Sequence, residues 1–296
     1  MSYETAVLWS VGRSLIAGVV CLGLARILVH GRSVYGGSPA NSGRPIRLAA
    51  IGRWALRSTG WWLVPFFVPG LVVGSAYRNV LLSFVQSPLL NELLYLFIVI
   101  AQLTPVALLA LEWLPAAPLG ATGQFLRRQM RRQRSGTSEE WWGAWWVSEG
   151  PRQWTAGTLA ALLCFQEVEV ATLMQAHGWP EWIFTKQIGG VGLVEGWRFL
   201  ILPVGYGLLL TVPTLWYWLW MGRQGFATNA VRPEPPVEDG HSGRRGLALM
   251  VAGLWGVVSW GLVVVWPFVN LAIGAVGGRG VIRLRGALWQ EIGDAL

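Results

Sequence analysis

The stretch Trp154–Met174, WTAGTLAALLCFQEVEVATLM, combines two features that together point to a membrane protein. Its first two thirds are apolar or small residues, as expected of a helix that crosses a bilayer, which needs about 20 such residues. Its last third carries the polar side chains of Gln166, Glu167, Glu169 and Thr172. Ionisable groups within a span are costly and usually face a partner or a water-filled path. The stretch therefore predicts a transmembrane helix that carries functional polar groups.

The composition of the whole chain supports this interpretation. Of its 296 residues, 53% are hydrophobic and only 13% are charged, whereas a soluble domain carries about 25% charged residues. The 20 Trp fit as well, because indole rings favour the level of the lipid headgroups. The net charge of +8 lies mainly between the apolar runs, where it predicts orientation in the membrane rather than binding to nucleic acid.

Six apolar runs predict an all-α fold, a polytopic bundle of about six transmembrane helices. Arginines are concentrated in the loops after the first, third and fifth runs. Because basic residues are retained in cytoplasmic loops, the N-terminus is expected outside and the spans are expected to alternate in direction. The predicted spans are Thr5–Val29, Trp61–Val85, Leu89–Leu114, Trp154–Met174, Phe199–Met221 and Leu247–Ile273.

The cytoplasmic loop at residues 116–153 contains a predicted surface helix. Thr137 and Glu140 have the spacing of a capping box, Glu139 adds a carboxylate at the positive helix end, and Gly150–Pro151 is expected to end the helix. Four tryptophans give it an apolar face, so it is either an interfacial anchor or a docking element for a cytoplasmic partner. The tryptophans are Trp141, Trp142, Trp145 and Trp146. The basic cluster before them, which suits that partner or anionic lipid, is Arg127, Arg128, Arg131, Arg132 and Arg134.

Two readings stay open for the carboxylates of the fourth span. On a continuous helix, Glu167 and Glu169 would point in different directions. They either line a substrate path that opens outward or lie near the interface and pair with a cation. The cations considered are Arg13, Arg26, Lys186 and Arg198.

A glycine pair in the second span also has two interpretations. Gly70 and Gly74 follow Pro69, and small residues spaced by four let two helix backbones approach in lipid. The alternative is that the pair only eases a bend after the proline.

Catalytic and cofactor motifs are missing from the sequence. It has no Gly-x-x-x-x-Gly-Lys-Ser/Thr loop, no His-Glu-x-x-His and no nucleophile elbow. His30, His177 and His241 lie far apart, and Cys21 and Cys164 both fall within apolar runs. We therefore expect neither an enzyme nor a bound metal, cofactor or disulfide.

Taken in order, these segments resemble the permease subunits of ABC importers, especially the ferric iron, thiamine and sulfate branch. The resemblance covers most of residues 5–222, but the cytoplasmic loop departs from it. If Pro151 is the final proline of the family's loop motif, Arg132 and Ser138 stand where glutamate and glycine are expected. The segments that carry the resemblance are Val11-Gly12-Arg13-Ser14-Leu15 to Leu24-Ala25-Arg26-Ile27-Leu28, Val64–Gly74, Pro151 with its alanine-rich span to Met174, and His177-Gly178-Trp179.

The resemblance implies a permease core at residues 1–222, a flexible linker at 223–246, and a sixth span with an external tail at 247–296. Through Trp289-Gln290-Glu291-Ile292, this last part is similar to the start of a second permease half. The fold implied is that of a type I importer permease in a bacterial inner membrane. It would pass a small solute, such as iron, thiamine or an oxyanion, inward by alternating access.

The partners implied by the resemblance are a cytoplasmic ATP-binding subunit, a second permease half or a second copy of the chain, an external substrate-binding protein and membrane lipid. The departure in the loop leaves an alternative open. The chain would then be a membrane anchor or scaffold without transport, which binds a partner or anionic lipid through its basic loops.

Overall fold

A computed structural model describes residues 2–35, 59–83, 87–114, 150–190, 193–223 and 242–276. These residues form helices and connecting turns, with no strand among them, which confirms the all-α prediction for the described part of the chain. The elements are α1 (Tyr3–Tyr35), α2 (Thr59–Phe67), α3 (Gly70–Ser83), α4 (Pro88–Trp113), α5 (Gly150–Gln166), α6 (Glu169–Leu173), α7 (Trp179–Ile188), α8 (Leu193–Arg223), α9 (Ser242–Trp260), a π-helix (Gly261–Val265) and α10 (Trp266–Val276).

Four of the described helical segments are long and apolar enough to cross a membrane, and α2 with α3 makes a fifth if the bent pair counts as one span. The chain is therefore a membrane protein of several helices. The predicted number of six spans is not reached among the described residues. The four segments are Tyr3–Val29, Pro88–Trp113, Gly196–Tyr217 and Met250–Ala275.

The predicted second and fourth spans are not continuous helices. The second is broken between α2 and α3, whose axes differ by 64°, because Pro69 has no N–H to continue the α2 ladder. The fourth ends as a helix at Gln166 after 17 residues, and α6 follows two residues later. There, the Glu167 carboxylate accepts the Val170 N–H at 2.9 Å, which in a continuous helix would bond to the Gln166 carbonyl.

Helices α1, α4 and α5 form the centre of the bundle, and small residues bring their backbones together. A Cβ on Gly18 of α1 would lie 2.7 Å from the Gly157 carbonyl oxygen and 2.9 Å from the Ala161 Cβ of α5. Such closeness is how helices associate in lipid, where burial of apolar surface gives no driving force. The small buried residues of the centre include Ala17, Cys21, Ala25, Ala101, Ala107, Ala156, Ala160 and Cys164.

The last span packs on this centre. The Ser259 hydroxyl of α9 donates to the Ala101 carbonyl of α4 at 2.9 Å. One turn earlier, the rings of Trp255 and Phe97 lie 5.5 Å apart. From the Trp255–Phe97 contact to the Ser259–Ala101 contact, the residue numbers increase in both helices. Helices α9 and α4 therefore run in the same direction where they cross. If the spans alternated in direction, as the sequence predicts, α9 and α4 would run in opposite directions. The structure differs from that prediction at this contact.

A π-helix interrupts the last span where it meets α3. A π-turn leaves backbone groups without their usual helical partners, and the Tyr77 hydroxyl donates to the Leu262 carbonyl there at 2.9 Å. Two further contacts join α9 to α2: Trp260 stacks on Trp61 at 3.9 Å, and a Cβ on Gly256 would lie 2.8 Å from the Trp62 ring. The last span thus contacts α2, α3 and α4.

Several predicted features lie outside the described residues. These are the surface helix, the basic cluster, most of the linker and the tail with its Trp289–Ile292 segment. Gly150 and Pro151 are described as the first turn of α5, a position in which proline is favoured. The residues outside the description include Thr137, Glu139, Glu140, Trp141, Trp142, Trp145, Trp146, Arg127, Arg128, Arg131, Arg132 and Arg134.

Candidate functional site

The two helix breaks meet. Glu169, the first residue of α6, places its carboxylate at the first turn of α3, where its Oε2 accepts the Leu71 N–H at 3.0 Å. This contact caps the start of α3, where backbone N–H groups lack helical partners and negative charge is favoured. A Cβ on Gly70 would lie only 2.8 Å from the same oxygen. Glycine at position 70 is therefore what lets the carboxylate reach the backbone.

Glu167 turns toward the same place. Its Oε1 accepts the Val170 N–H at 2.9 Å and lies 3.2 Å from the position of a Gly70 Cβ. The expectation that Glu167 and Glu169 point in different directions was wrong, because it assumed a helix through residues 166–169. The break instead places one oxygen of each carboxylate within 3.2 Å of a single point.

The glycine pair faces α6. A Cβ on Gly74 would lie 2.8 Å from the Leu173 Cβ, just as one on Gly70 would meet Glu169. Both glycines thus serve a close approach of α3 to α6, rather than only a bend after Pro69.

One carbonyl group at the α2–α3 break has a side-chain partner. The Gln102 side chain of α4 donates its Nε2 to the Val68 carbonyl oxygen at 3.4 Å. Non-helical backbone inside a membrane is tolerated where it is buried in protein or lines a cavity. Here the Gln102 side chain of α4 bonds to a carbonyl on one side of the break, and the Glu169 carboxylate bonds to the Leu71 N–H on the other.

The other polar residues predicted for this site lie elsewhere. The Thr172 hydroxyl donates to the Val168 carbonyl within its own turn at 2.7 Å, and Gln166 is exposed at the end of α5. Of the cations considered as partners, Lys186 lies 5.5 Å from the centroid of the Trp182 ring. The structure therefore brings together Glu167, Glu169 and the Gly70 turn, and leaves Gln166 and Thr172 out.

Arg13 has a different partner from the ones predicted. It pairs with Glu92 of α4, Nη1 to Oε2 at 3.1 Å, and the two side chains are only 7% and 13% exposed. Its guanidinium lies 4.4 Å from the centroid of the Tyr95 ring. Sequence reasoning missed Glu92 altogether. The sequence did carry a signal for this pair. Arg13 lies near the start of the first predicted span and Glu92 near the start of the third, and these two spans are predicted to cross the membrane in the same direction.

No family model matches the chain, and neither the curated proteins nor the solved structures gave a match. A function has to be argued from the residues and the geometry described above.

Proposed function

We propose that the protein is the membrane-spanning subunit of a transporter, and that it works as the permease of an ABC importer. One observation carries the proposal: Glu167 and Glu169 converge where two broken helices meet. Secondary transporters form substrate and ion sites near the bilayer midplane from discontinuous helices, whose half-helix ends face the bound group. A charge inside a membrane protein is in general a functional-site hypothesis.

The chemistry of the site favours one class of solute. Each carboxylate already accepts at least one backbone N–H, and a carboxylate offers about four lone-pair positions. Remaining positions can bind a cation or a hydrogen-bond donor, whereas an anion would be repelled. Among iron, thiamine and an oxyanion, the site therefore favours the cationic solutes.

The proposed cycle requires partners. A separate ATP-binding subunit would move the segment Thr137–Gly150, and the bundle would reopen toward the other side. A second permease half or a second copy of the chain would complete the path, and an external binding protein would deliver the solute. A ligand shifts such an equilibrium only by binding the two states differently, so the carboxylates must contact the solute in one state more than in the other.

Uptake by cells that express the protein with its native partners would test the proposal. The solutes compared would be ferric iron, thiamine and sulfate, each labelled. We expect Glu169→Gln and Glu167→Gln to reduce uptake of a cationic solute at least tenfold, with the protein still inserted in the membrane. Glu4→Gln is the matched control, because Glu4 is exposed in the first turn of α1, and it should leave uptake unchanged.

Purification of the intact protein in mild detergent tests the partners. We expect an ATP-binding subunit to co-purify, and to be lost when Trp141, Trp142, Trp145 and Trp146 are changed to alanine. Uptake no higher than in cells that lack the protein, with no ATP-binding subunit recovered, would instead support the scaffold.

A further inference from the structure

The segment Met174–Trp179, from the end of α6 to the first residue of α7, is held through its backbone by side chains of the bundle. On the α4 side, Asn91 donates its Nδ2 to the Met174 carbonyl at 2.9 Å, and Glu92 accepts the His177 N–H at 2.6 Å. Both α4 residues lie in its first turns. The segment is called the strap below, since α4 holds it at two points along its length.

The α1 side fastens the same strap. Arg13 donates its Nη1 to the His177 carbonyl at 3.0 Å, and the Ser10 hydroxyl accepts the Trp179 N–H at 3.1 Å. Gly178 fits against both: a Cβ there would lie 2.8 Å from the Ser10 Oγ and 2.9 Å from the Arg13 Nη2. The strap therefore lies across the second and third turns of α1 and the first two turns of α4, and it bonds to them through its own backbone.

The strap is continuous with the half-helices of the site. It follows α6 directly, and α6 is tied to α3 through Glu169 to Leu71 and through Leu173 against Gly74. Each of these two helices begins at a break, at residues 68–69 for α3 and 167–168 for α6. A break is where a helix pair can change angle without breaking a continuous ladder of hydrogen bonds.

We propose that the strap, α6 and α3 form one moving body that closes the end of the bundle at the starts of α1 and α4, with its hinges at residues 68–69 and 167–168. That the body gates a solute rests on the proposed function; that it moves as one piece does not.

The buried ion pair makes this closure reversible. Arg13 and Glu92 contact each other at 3.1 Å and each also holds the backbone of His177. When the strap moves away, Arg13 and Glu92 remain paired with each other, so neither is left as an unpaired buried charge. A lone buried charge is what makes breaking such contacts prohibitive.

Release breaks the four hydrogen bonds of the strap backbone, which water can replace at the opened end. It also parts the Trp179 Nε1 from the Phe165 carbonyl of α5. If α3 moves far, it parts the Tyr77 hydroxyl from the Leu262 carbonyl as well.

A disulfide across the strap would test the proposal. The variant is Ser10→Cys with Gly178→Cys, because position 178 faces the Ser10 Oγ at a distance that a disulfide can bridge. The control is Gly74→Cys with Leu173→Cys, which would link two parts of the same moving body. A Cβ on Gly74 would lie 2.8 Å from the Leu173 Cβ, closer than the ~3.8 Å of a disulfide, so α3 and α6 must separate slightly to accept it. Both pairs are built in a chain whose buried free thiols, Cys21 and Cys164, are replaced by alanine.

The measurement is hydrogen–deuterium exchange of the oxidised and reduced proteins in detergent. In the reduced protein we expect the amides of the strap, α6 and α3 to exchange together and faster than those of α1 and α5. Oxidation of the strap pair should slow all three by about tenfold or more, because exchange reports local opening. Oxidation of the control pair should leave the strap unchanged.

Two results would overturn the inference: slowing confined to residues 174–179, or an α3 that exchanges with α1 and α5 in every state. Uptake provides the separate test of gating. Loss of uptake in the oxidised strap variant, restored by a reductant, is expected. Exchange behaviour as expected in a protein that moves no solute would count against the proposed function and would leave the moving body supported.

Discussion

Helices α4 and α8 are both long enough to cross the membrane and both contain proline, yet they occupy opposite environments. In α4, 67% of the most apolar window is buried inside the protein, against 11% in α8. Mean hydropathy is also higher for α4, at 2.3, than for α8, at 1.7. Hydropathy cannot distinguish a helix in the protein interior from one that faces lipid, however, because both surroundings are apolar. Hydropathy therefore locates spans without saying which of them is central.

The polar side chains make the distinction. Those of α4 bond to its neighbours: Asn91 to the strap, Glu92 to Arg13, and Gln102 to the α2–α3 break. Asn91, Tyr95 and Gln102 recur at helical spacing, so they define one face of α4. Along α8, exposed Leu208, Leu209 and Val212 suit lipid. A polar stripe within an apolar helix is thus a better sign of a central position than its hydropathy.

Helix α4 is central partly because α9 packs against it. The prediction with the largest expected effect tests the direction in which α9 runs along α4. Ser242→Cys would label the start of α9, and Ser87→Cys the residue before α4. Because α9 crosses α4 in the parallel sense, we expect a membrane-impermeant thiol reagent to reach both cysteines from the same side. Labelling from opposite sides would restore alternating spans and would mean that Ser259 does not meet Ala101 in the membrane.

Breaking the ion pair of α4 should have the largest effect on stability. Glu92→Leu leaves Arg13 buried without its carboxylate, which costs about 3–5 kcal/mol when a buried pair loses one member. The measurement is the free energy of unfolding in mixed detergent micelles. Combining it with Arg13→Met should recover most of the loss, because no unpaired charge then remains. A single variant as stable as the parent would show that water reaches Arg13 freely.

A methyl group added in the centre or at the periphery should give opposite results. Gly18→Ala places a Cβ 2.7 Å from the Gly157 carbonyl oxygen, and backbone cannot move aside as a side chain can. We expect a loss of about 1–3 kcal/mol, typical of overpacking. Gly205→Ala on α8 meets nothing within 4 Å, so we expect it to stabilise the protein by about 0.4–1 kcal/mol, because alanine loses less backbone freedom on folding. Thermal unfolding of the two variants side by side would show the difference, and equal losses would mean that α8 is covered as α1 is.

The sequence predicted a helical membrane protein and singled out Glu167, Glu169, Gly70 and Gly74, because burying charge and spacing small residues have local signatures. It did not predict that the carboxylates converge. Their direction depends on a helix break, and that break depends on which group takes the Val170 N–H. The Pro69 break was the more predictable of the two, since proline removes a donor wherever it lies.

The contacts between spans that are far apart in the sequence were even harder to predict. Arg13 has several carboxylates that it could reach in principle, and its choice of Glu92 is set by the way α1 and α4 pack. That packing involves contacts such as the one between the Cys21 Sγ and the Ile100 carbonyl oxygen at 3.7 Å, which no pattern within a single span reveals.

The smallest expected effect concerns a polar tie between the periphery and the centre. The Ser14 hydroxyl donates its proton to the Val11 carbonyl at 2.8 Å, so at 3.1 Å Tyr206 of α8 is the donor to the Ser14 oxygen. Tyr206→Phe removes that bond but keeps the ring, which packs on Phe165 at 4.7 Å. Interhelical hydrogen bonds in membranes average about 0.6 kcal/mol, and we expect a loss of that size. Ser14→Ala should cost a similar amount, and the double variant no more than the larger of the two. Additive losses would mean that the two hydroxyl groups do not meet, and α8 would then be held by apolar contact alone.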